Sequence, residues 1–263
     1  MMRSDVPRPV PSDVFVREYE RAARECAALD CDGRFFEPSF EKKLYSIYTS
    51  LLEGAATANL TAILDLGGVV EKHMLDSLVP LKIFADRGIL RNGSTAVDVG
   101  CGAGFPSLPL AAACDGKIFP AVRVWGIDST GKKIAHVRRA AESAGLGNVT
   151  AVCGRAEELA TAGGGMRETF DLSAARAVSS LPALLELCAP FVKVGGTVAA
   201  YKGPEDETGS AEGAAKTLGL VLRERIAYTL PGGDARTLVL YEKVKSTPAA
   251  YPRKFAKIKS DPL

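Results

Sequence analysis

From Ser39 onward the chain sets apolar and polar residues in the rhythm of a helix. Phe40, Leu44, Ile47, Tyr48, Leu51 and Leu52 recur at three- and four-residue spacing and share one face. Ser39 is a good N-cap for that helix, but Lys42 stands where a capping box places Glu, so only half of that signature is present. A second helical pattern runs from about Val69 through "EKHMLDSLVPLKIFADRG". Upstream, Pro7, Pro9 and Pro11 precede a polar helical stretch from Asp13 to Leu29. Residues 1–36 are therefore expected to form a poorly organised extension and 37–90 a helical cap, with no strand in either.

At Arg91 the period changes. "STAVDVG", "VRVWGIDS", "VTAVCGRAEEL", "FDLSAARA" and "TVAAYKGP" read as strands, and "FPSLPLAAAC", "TGKKIAHVRRAAESAGL" and "LPALLELCAPFVKVGG" as the helices between them. Such alternation calls for a parallel sheet with helices on both faces. It then breaks: "LVLRERIAYTL" and "ARTLVLYEKV", joined by "PGGD", read as an antiparallel hairpin. The expected fold is α/β, a doubly wound, mostly parallel seven-stranded sheet that ends in an antiparallel hairpin. Five alternating strands closed by a hairpin resemble the S-adenosylmethionine (AdoMet) methyltransferase version of the Rossmann-like sheet; a dinucleotide fold more often continues with another βαβ half. The domain is expected over 91–245, with a basic tail over 246–263.

Composition adds few constraints. The 263 residues are 47% hydrophobic and 24% charged, as in ordinary globular proteins, and suit one large domain or one domain with an extension. No apolar run reaches the roughly 18 residues of a membrane span, and "MMRSDVPRPVPSDVF" lacks the apolar segment of a signal peptide. A cytoplasmic protein without a membrane partner, acting as a monomer, is expected. Cys26, Cys31, Cys101, Cys114, Cys153 and Cys188 form no CxxC pair, and there are two histidines. These thiols are expected to be reduced and mostly buried, with no disulfide framework and no metal site. Net charge is only +2, but Lys243, Lys245, Arg253, Lys254, Lys257 and Lys259 crowd the tail against Glu242 and Asp261. A basic tail suits a phosphate backbone; a solvated end is the alternative.

The turn after the first strand, "DVGCGAG", holds Asp98, Gly100, Gly102 and Gly104. Ligands of doubly wound sheets bind at such strand ends. For a dinucleotide, Gly102 and Gly104 would be followed by Ser107 where a third glycine belongs. For AdoMet, the glycines let the backbone pass close to the cofactor, and Asp98 can help hold its amino acid end. Asp128 ends the second strand, where a carboxylate accepts ribose hydroxyls in either cofactor class. Ala156 and Glu157, after the third strand, sit where an adenine edge belongs, unless Glu157 merely opens a solvent-facing helix.

These residues belong to longer pieces: "NLTAI", "KHMLDSL", "VDVGCGAGFPSLPLA", "DSTGKKIAHVR", "GRAEEL", "ARAVSSLPALLELCAPFVKVGG", "YKGP" and "YPRK". In this order and spacing the chain resembles the small-subunit ribosomal RNA guanine N7 methyltransferases (RsmG, also called GidB) from about Phe40 to Pro262. "DST" stands where that family often has "DSL", and Ser107 where a glycine is common. The resemblance implies an AdoMet-dependent enzyme acting on a guanine in the decoding-region loop of 16S rRNA, free or within the small subunit. It implies that Gly100 and Phe105 line the methionine and ribose region and that Asp128, Ser129 and Thr130 hold the ribose and adenosine. Ala156 and Glu157 would meet the adenine, and Arg176 the cofactor or the base.

The residues present suit that chemistry. Guanine N7 carries an in-plane lone pair and no proton, so alignment and electrostatics are needed rather than a general base. No [DN]-P-P-[YFW] motif for exocyclic amines is present, and neither Cys101 nor Cys188 sits in a Pro-Cys context. Arg155, Arg176 and Lys202 follow strands three, four and five and are the candidate catalytic side chains, with local pairing to Glu157 or Glu158 as the alternative. An arginine can donate to guanine O6. Lys132, Lys133, Arg138, Arg253 and Lys254 are candidate RNA-binding residues through phosphate contacts, with a solvated helix face as the alternative for Arg138 and its neighbour Arg139. His73 reads as a packing residue more readily than as a substrate contact. The rival readings are an NAD-dependent dehydrogenase, a non-catalytic rRNA-binding protein and a small-molecule methyltransferase.

Overall fold

The computed structural model describes residues 6–29, 32–176, 179–205 and 207–263. Seven strands form one sheet: β1 (Thr95–Val99), β2 (Arg123–Asp128), β3 (Val149–Cys153), β4 (Phe170–Arg176), β5 (Val192–Lys202), β6 (Leu220–Thr229) and β7 (Ala235–Lys243). They lie in the order β3-β2-β1-β4-β5-β7-β6. The first five are parallel, and β7 runs antiparallel to both its neighbours. This is the expected doubly wound sheet with its closing hairpin. Strand order reverses beside β1, so the crevice at its carboxyl end is where a ligand belongs.

Successive side chains on a strand face opposite ways, which splits the interior in two. Ala96, Leu172, Ala174, Ala199 and Leu240 pack toward the N-terminal helices. Val97, Val99, Ala175, Val198 and Ala200 pack on the other face. Burial on both faces is why these strands read as nearly continuous apolar runs.

The helices are α1 (Ser12–Glu25), α2 (Pro38–Ala55), α3 (Leu66–Gly68), α4 (Asp76–Asp86), α5 (Ser107–Ala113), α6 (Gly131–Ser143), α7 (Ala156–Leu159), α8 (Leu181–Cys188), α9 (Glu212–Leu218) and α10 (Phe255–Ser260). The apolar stripe of α2 is buried as its spacing predicts. Its start differs: Ser39 lies inside the first turn, and Glu37 takes the cap position without a side-chain bond. A missing cap costs about 1 kcal/mol. Burying one Leu or Phe stabilises by roughly 1.5–3 kcal/mol, so packing sets the boundary, helped by Pro38 at the first position.

The expectation of a poorly organised first 36 residues does not describe residues 12–29 and 33–36. Phe15, Tyr19, Ala22 and Ala23 of α1 are fully buried, and the Tyr19 hydroxyl donates to Phe35 O at 3.0 Å. The outer face hides this in the sequence. It carries Asp13, Arg17, Glu18, Glu20, Arg21, Arg24 and Glu25, which pair along the helix. The helix ends at Glu25, and Ala27–Leu29 is a 3-10 turn rather than its continuation.

Three further differences matter. The second cap helix is not regular: Val69–Leu75 winds as a π-helix between α3 and α4. The stretch "VKVGG", read as the end of a helix, begins β5 instead. β4 pairs Phe170 with Val192 but Leu172 with Thr197, so the extra residues bulge out, and Gly195 (φ 87°) makes the turn. The tail is not simply basic. Lys243 is buried, with Nζ donating to Ala189 O at 2.7 Å and Thr247 Oγ1 at 2.6 Å and lying 3.2 Å from Glu168. Cys26, Cys101, Cys114 and Cys188 are buried free thiols and Cys153 is exposed; Cys31 lies outside the described residues. Among the described residues no helix is long and apolar enough to cross a membrane.

Candidate functional site

The turn after β1 uses all three glycines in left-handed conformations: Gly100 (φ 77°), Gly102 (φ 57°) and Gly104 (φ 95°). Their surroundings differ. A Cβ on Gly104 would overlap the Leu108 side chain of α5, so this glycine serves close packing. A Cβ on Gly102 would meet only Gly100 O, at 3.9 Å, so its bareness leaves open space above the loop. Asp98 lies beneath the loop rather than along a pocket wall. It is 3% exposed, and its Oδ2 accepts the Ser107 N–H at 3.0 Å, tying the strand end to α5. Its Oδ1 has no hydrogen-bond partner. Burial pushes its pKa up to about 6, against the Ser107 hydrogen bonds.

A pocket opens beside this loop. Gly100, Asp128, Ser129, Arg155, Ala156 and Glu157 line it together, with Val99, Ile127, Leu187 and Phe255 as apolar walls. Asp128 takes the Thr130 N–H on Oδ1 at 2.8 Å and the Gly102 N–H on Oδ2 at 3.2 Å. Each carboxylate oxygen keeps a lone pair for a ligand hydroxyl. Thr130 thus shapes the carboxylate through its backbone and does not itself line the pocket. Apolar walls with a carboxylate at the rim fit a nucleoside. Arg155 is 54% exposed and sits 3.6 Å from Glu157, the local pairing weighed above and a weak one at that exposure.

A second pocket lies on the cap side. Its lining includes Lys72, His73, Asp76, Arg176, Tyr201, Lys202 and Arg236. Arg176 and Lys202 meet here; Arg155 does not line it. The π-helical turn of the cap and the start of α4 supply the partners of Arg176. Nη1 donates to Lys72 O at 2.9 Å and to Asp76 Oδ2 at 3.1 Å, and Nη2 lies 3.4 Å from His73 Nδ1. An arginine only donates, so Nδ1 accepts, and the ring proton on Nε2 is shared with Thr61 Oγ1 at 3.1 Å. Burial, then the Arg176 charge, lowers the His73 pKa to about 4. Phe105, at the end of the glycine loop, stacks on the His73 ring at 4.7 Å, with Arg176 5.9 Å above it. Phe105 therefore supports the second pocket and is not a wall of the first.

Asp76, Tyr201, Arg236 and Phe255 escaped the sequence reading. Asp76 joins the site: Oδ1 accepts from the Tyr228 hydroxyl at 2.8 Å and lies 3.5 Å from Arg236 Nε. The buried Tyr201 hydroxyl has no hydrogen-bond partner. Lys202 donates to Ser179 O at 3.0 Å and pairs with Glu207 at 2.6 Å. The outlying basic residues are less uniform than their charge implies. Lys132 and Lys254 are exposed. Lys133 faces Asp128 at 3.7 Å. Arg138 pins α6 to β3 through Ala151 O, at 2.8 Å from Nη2. Arg253 forms a forked ion pair with Glu186, Nη2 to Oε2 at 2.6 Å, so it is not free to seek phosphate.

Residues 41–227 match the family described as GidB, rRNA small subunit methyltransferase G. Ribosomal RNA small subunit methyltransferase G of Lactobacillus johnsonii is 39% identical over 226 residues, 85% of this chain and 91% of its own length. Its namesake in Deinococcus deserti is 43% identical over 216 residues, 81% of this chain and 84% of its own. Among solved structures, geranyl diphosphate methyltransferase in complex with SAM matches with a TM-score of 0.50 at 16% identity, over 64% of this chain and 85% of that one. At that identity it speaks for the fold alone.

Proposed function

Because this chain belongs to the rRNA small subunit methyltransferase G family, we propose that it transfers a methyl group from AdoMet to N7 of a guanine in the decoding-region loop of 16S rRNA. The observation that carries this reading is the pairing of two different pockets at the carboxyl ends of the parallel strands. One is apolar with a carboxylate at its rim; the other, roofed by the cap, is charged, with Lys72, Arg176, Lys202 and Arg236 set against Asp76, Glu205 and Glu207. When bound, AdoMet supplies an electrophilic methyl group on a sulfonium sulfur.

Asp128 accepts the ribose hydroxyls. Val99, Ile127, Ala156 and Leu187 exclude water from the adenosine, with Ser129, Glu157 and Arg155 at its edge. Asp98, beneath the glycine loop, holds its shape through the Ser107 N–H and so supports the polar end of the cofactor from below. Arg176 keeps its Nε–H and one Nη2–H beyond the bonds to Lys72, His73 and Asp76. Those donors suit O6 of the base, which lies next to N7. Lys202, paired with Glu207, and Arg236, paired with Asp76 and Asp234, would exchange those carboxylates for phosphate or the base edge. N7 has no proton to lose, and the groups here agree. His73, with its pKa near 4, is neutral at pH 7 and serves to orient Arg176.

Arg176→Ala tests the assignment. Single-turnover transfer to unmodified 16S rRNA is expected to fall roughly 100-fold or more, the usual cost of losing one aimed donor, with AdoMet affinity within about twofold of wild type. Full turnover in that variant would remove Arg176 from the role.

A further inference from the structure

The C-terminal segment is built against the nucleoside pocket. Phe255, the first residue of α10, lines it beside Gly100, Asp128 and Ala156 and is 36% exposed. Two arginines fix the segment that carries it. Arg253 donates its backbone N–H to Glu186 Oε1 at 2.9 Å and its Nη2 to Oε2 at 2.6 Å. The Glu186 side chain, on α8, is 0% exposed. Arg167 donates to Tyr251 O at 2.8 Å and Thr247 O at 2.6 Å. Ile258 then sinks into the core beneath α8. Charge-assisted, forked bonds to a buried carboxylate are among the strongest a protein makes. A solvated arm for catching phosphates needs none of this.

We propose that residues 251–260 form a wall of the cofactor site. The Phe255 ring packs on the adenine of AdoMet, and the Glu186–Arg253 pair holds the ring in place. This rests on the AdoMet reading above. The rest of the apolar lining is Val99, Ile127, Ala156 and Leu187, so the adenine shares the pocket with aliphatic side chains and one aromatic face. A ring contact of this kind is worth roughly three- to tenfold in affinity. Phe255 is a positioning residue for the cofactor and Glu186 a support for it.

Calorimetry with AdoMet and with S-adenosylhomocysteine on the full chain tests this. Phe255→Ala is expected to weaken both ligands by the same factor, roughly three- to tenfold, with an unchanged thermal midpoint because the ring is partly exposed. Phe255→Leu weakens them less. Glu186→Gln, which loosens the segment, weakens them as well. In wild type, saturating AdoMet slows tryptic cleavage after Lys254 and Lys257, and in Phe255→Ala it does so much less. Unchanged affinity in Phe255→Ala, while wild type binds AdoMet, overturns the proposal and leaves the cofactor reading intact. Wild type that binds neither ligand overturns both.

Discussion

Arg176 and Asp76 meet across the boundary between the sheet and the helical cap, Nη1 3.1 Å from Oδ2, at a separation of 100 positions in the chain. Asp76 is also the acceptor for Tyr228 of β6 and lies 3.5 Å from Arg236 of β7. One buried carboxylate on α4 thus ties the cap, β4 and the closing hairpin together beside the site proposed for the base.

Asp76→Asn should therefore separate positioning from stability. The amide keeps the size of the side chain but turns its NH2 toward one side, either Arg176 or the Tyr228–Arg236 side, where only an acceptor satisfies the arginine. Single-turnover methyl transfer is expected to fall about 10- to 100-fold through misplacement of Arg176, with AdoMet affinity within about twofold. Denaturant unfolding should show a loss of about 1–3 kcal/mol. Unchanged transfer would show that Arg176 is held well enough by Lys72 O and His73 alone.

The three glycines of the loop should not behave alike. Gly104→Ala forces a Cβ into Leu108 at a φ of 95°, and is expected to lower stability by more than about 2 kcal/mol. Gly102→Ala meets open space, so the fold should lose only about 1 kcal/mol for the left-handed backbone. Its AdoMet affinity should nevertheless drop, because the methyl projects over the loop. Thermal unfolding and calorimetry on the two variants decide this.

The two histidines should both titrate far below the ordinary imidazole value. Burial, followed by Arg176 for His73 and Arg139 for His136, brings each to about 4. Protons therefore bind the unfolded chain first. This contribution to stability is complete above pH 6.5 and is lost as pH falls from 6.5 toward 4. Asp98 has the opposite sign: with its pKa raised to about 6, the folded state gains stability as pH falls from 6 toward 3.8. The acid slope is thus shallower than the histidines alone dictate. Ring-proton NMR resonances that hold their neutral positions down to pH 5 are the expected result.

Lys243 tests the underside of the hairpin. Lys243→Ala removes the ammonium that bonds the Ala189 and Val192 carbonyls and faces Glu168, which keeps the Thr247 N–H. A loss of about 1–3 kcal/mol is expected from urea unfolding. Lys243→Met, which keeps the packing, should lose less.

The sheet was legible because burial on both faces writes itself into short apolar runs, and Asp128 because it ends one of them. The α2 stripe was legible for the same reason. What escaped depends on partners far away in the chain. Arg253 and Lys243 look like free charges until Glu186 and Glu168 are brought to them by folding. Asp76 sits in a quoted motif with no role visible, since its partners lie on β4, β6 and β7. Phe255 is one aromatic residue in a basic tail, with no periodicity to mark it. In α1, the helix pairs its own charges on one side, and that polarity masks four buried positions.

Mapped methyl transfer tests the central claim most directly. Labelled AdoMet is supplied with small ribosomal subunits, or with naked 16S rRNA, both lacking the modification, and the product is mapped by the strand cleavage that N7-methylguanine permits. Label at one guanine N7 in the decoding-region loop is the expected result. Label at another atom or another loop, or no label from a protein that binds AdoMet, would contradict it.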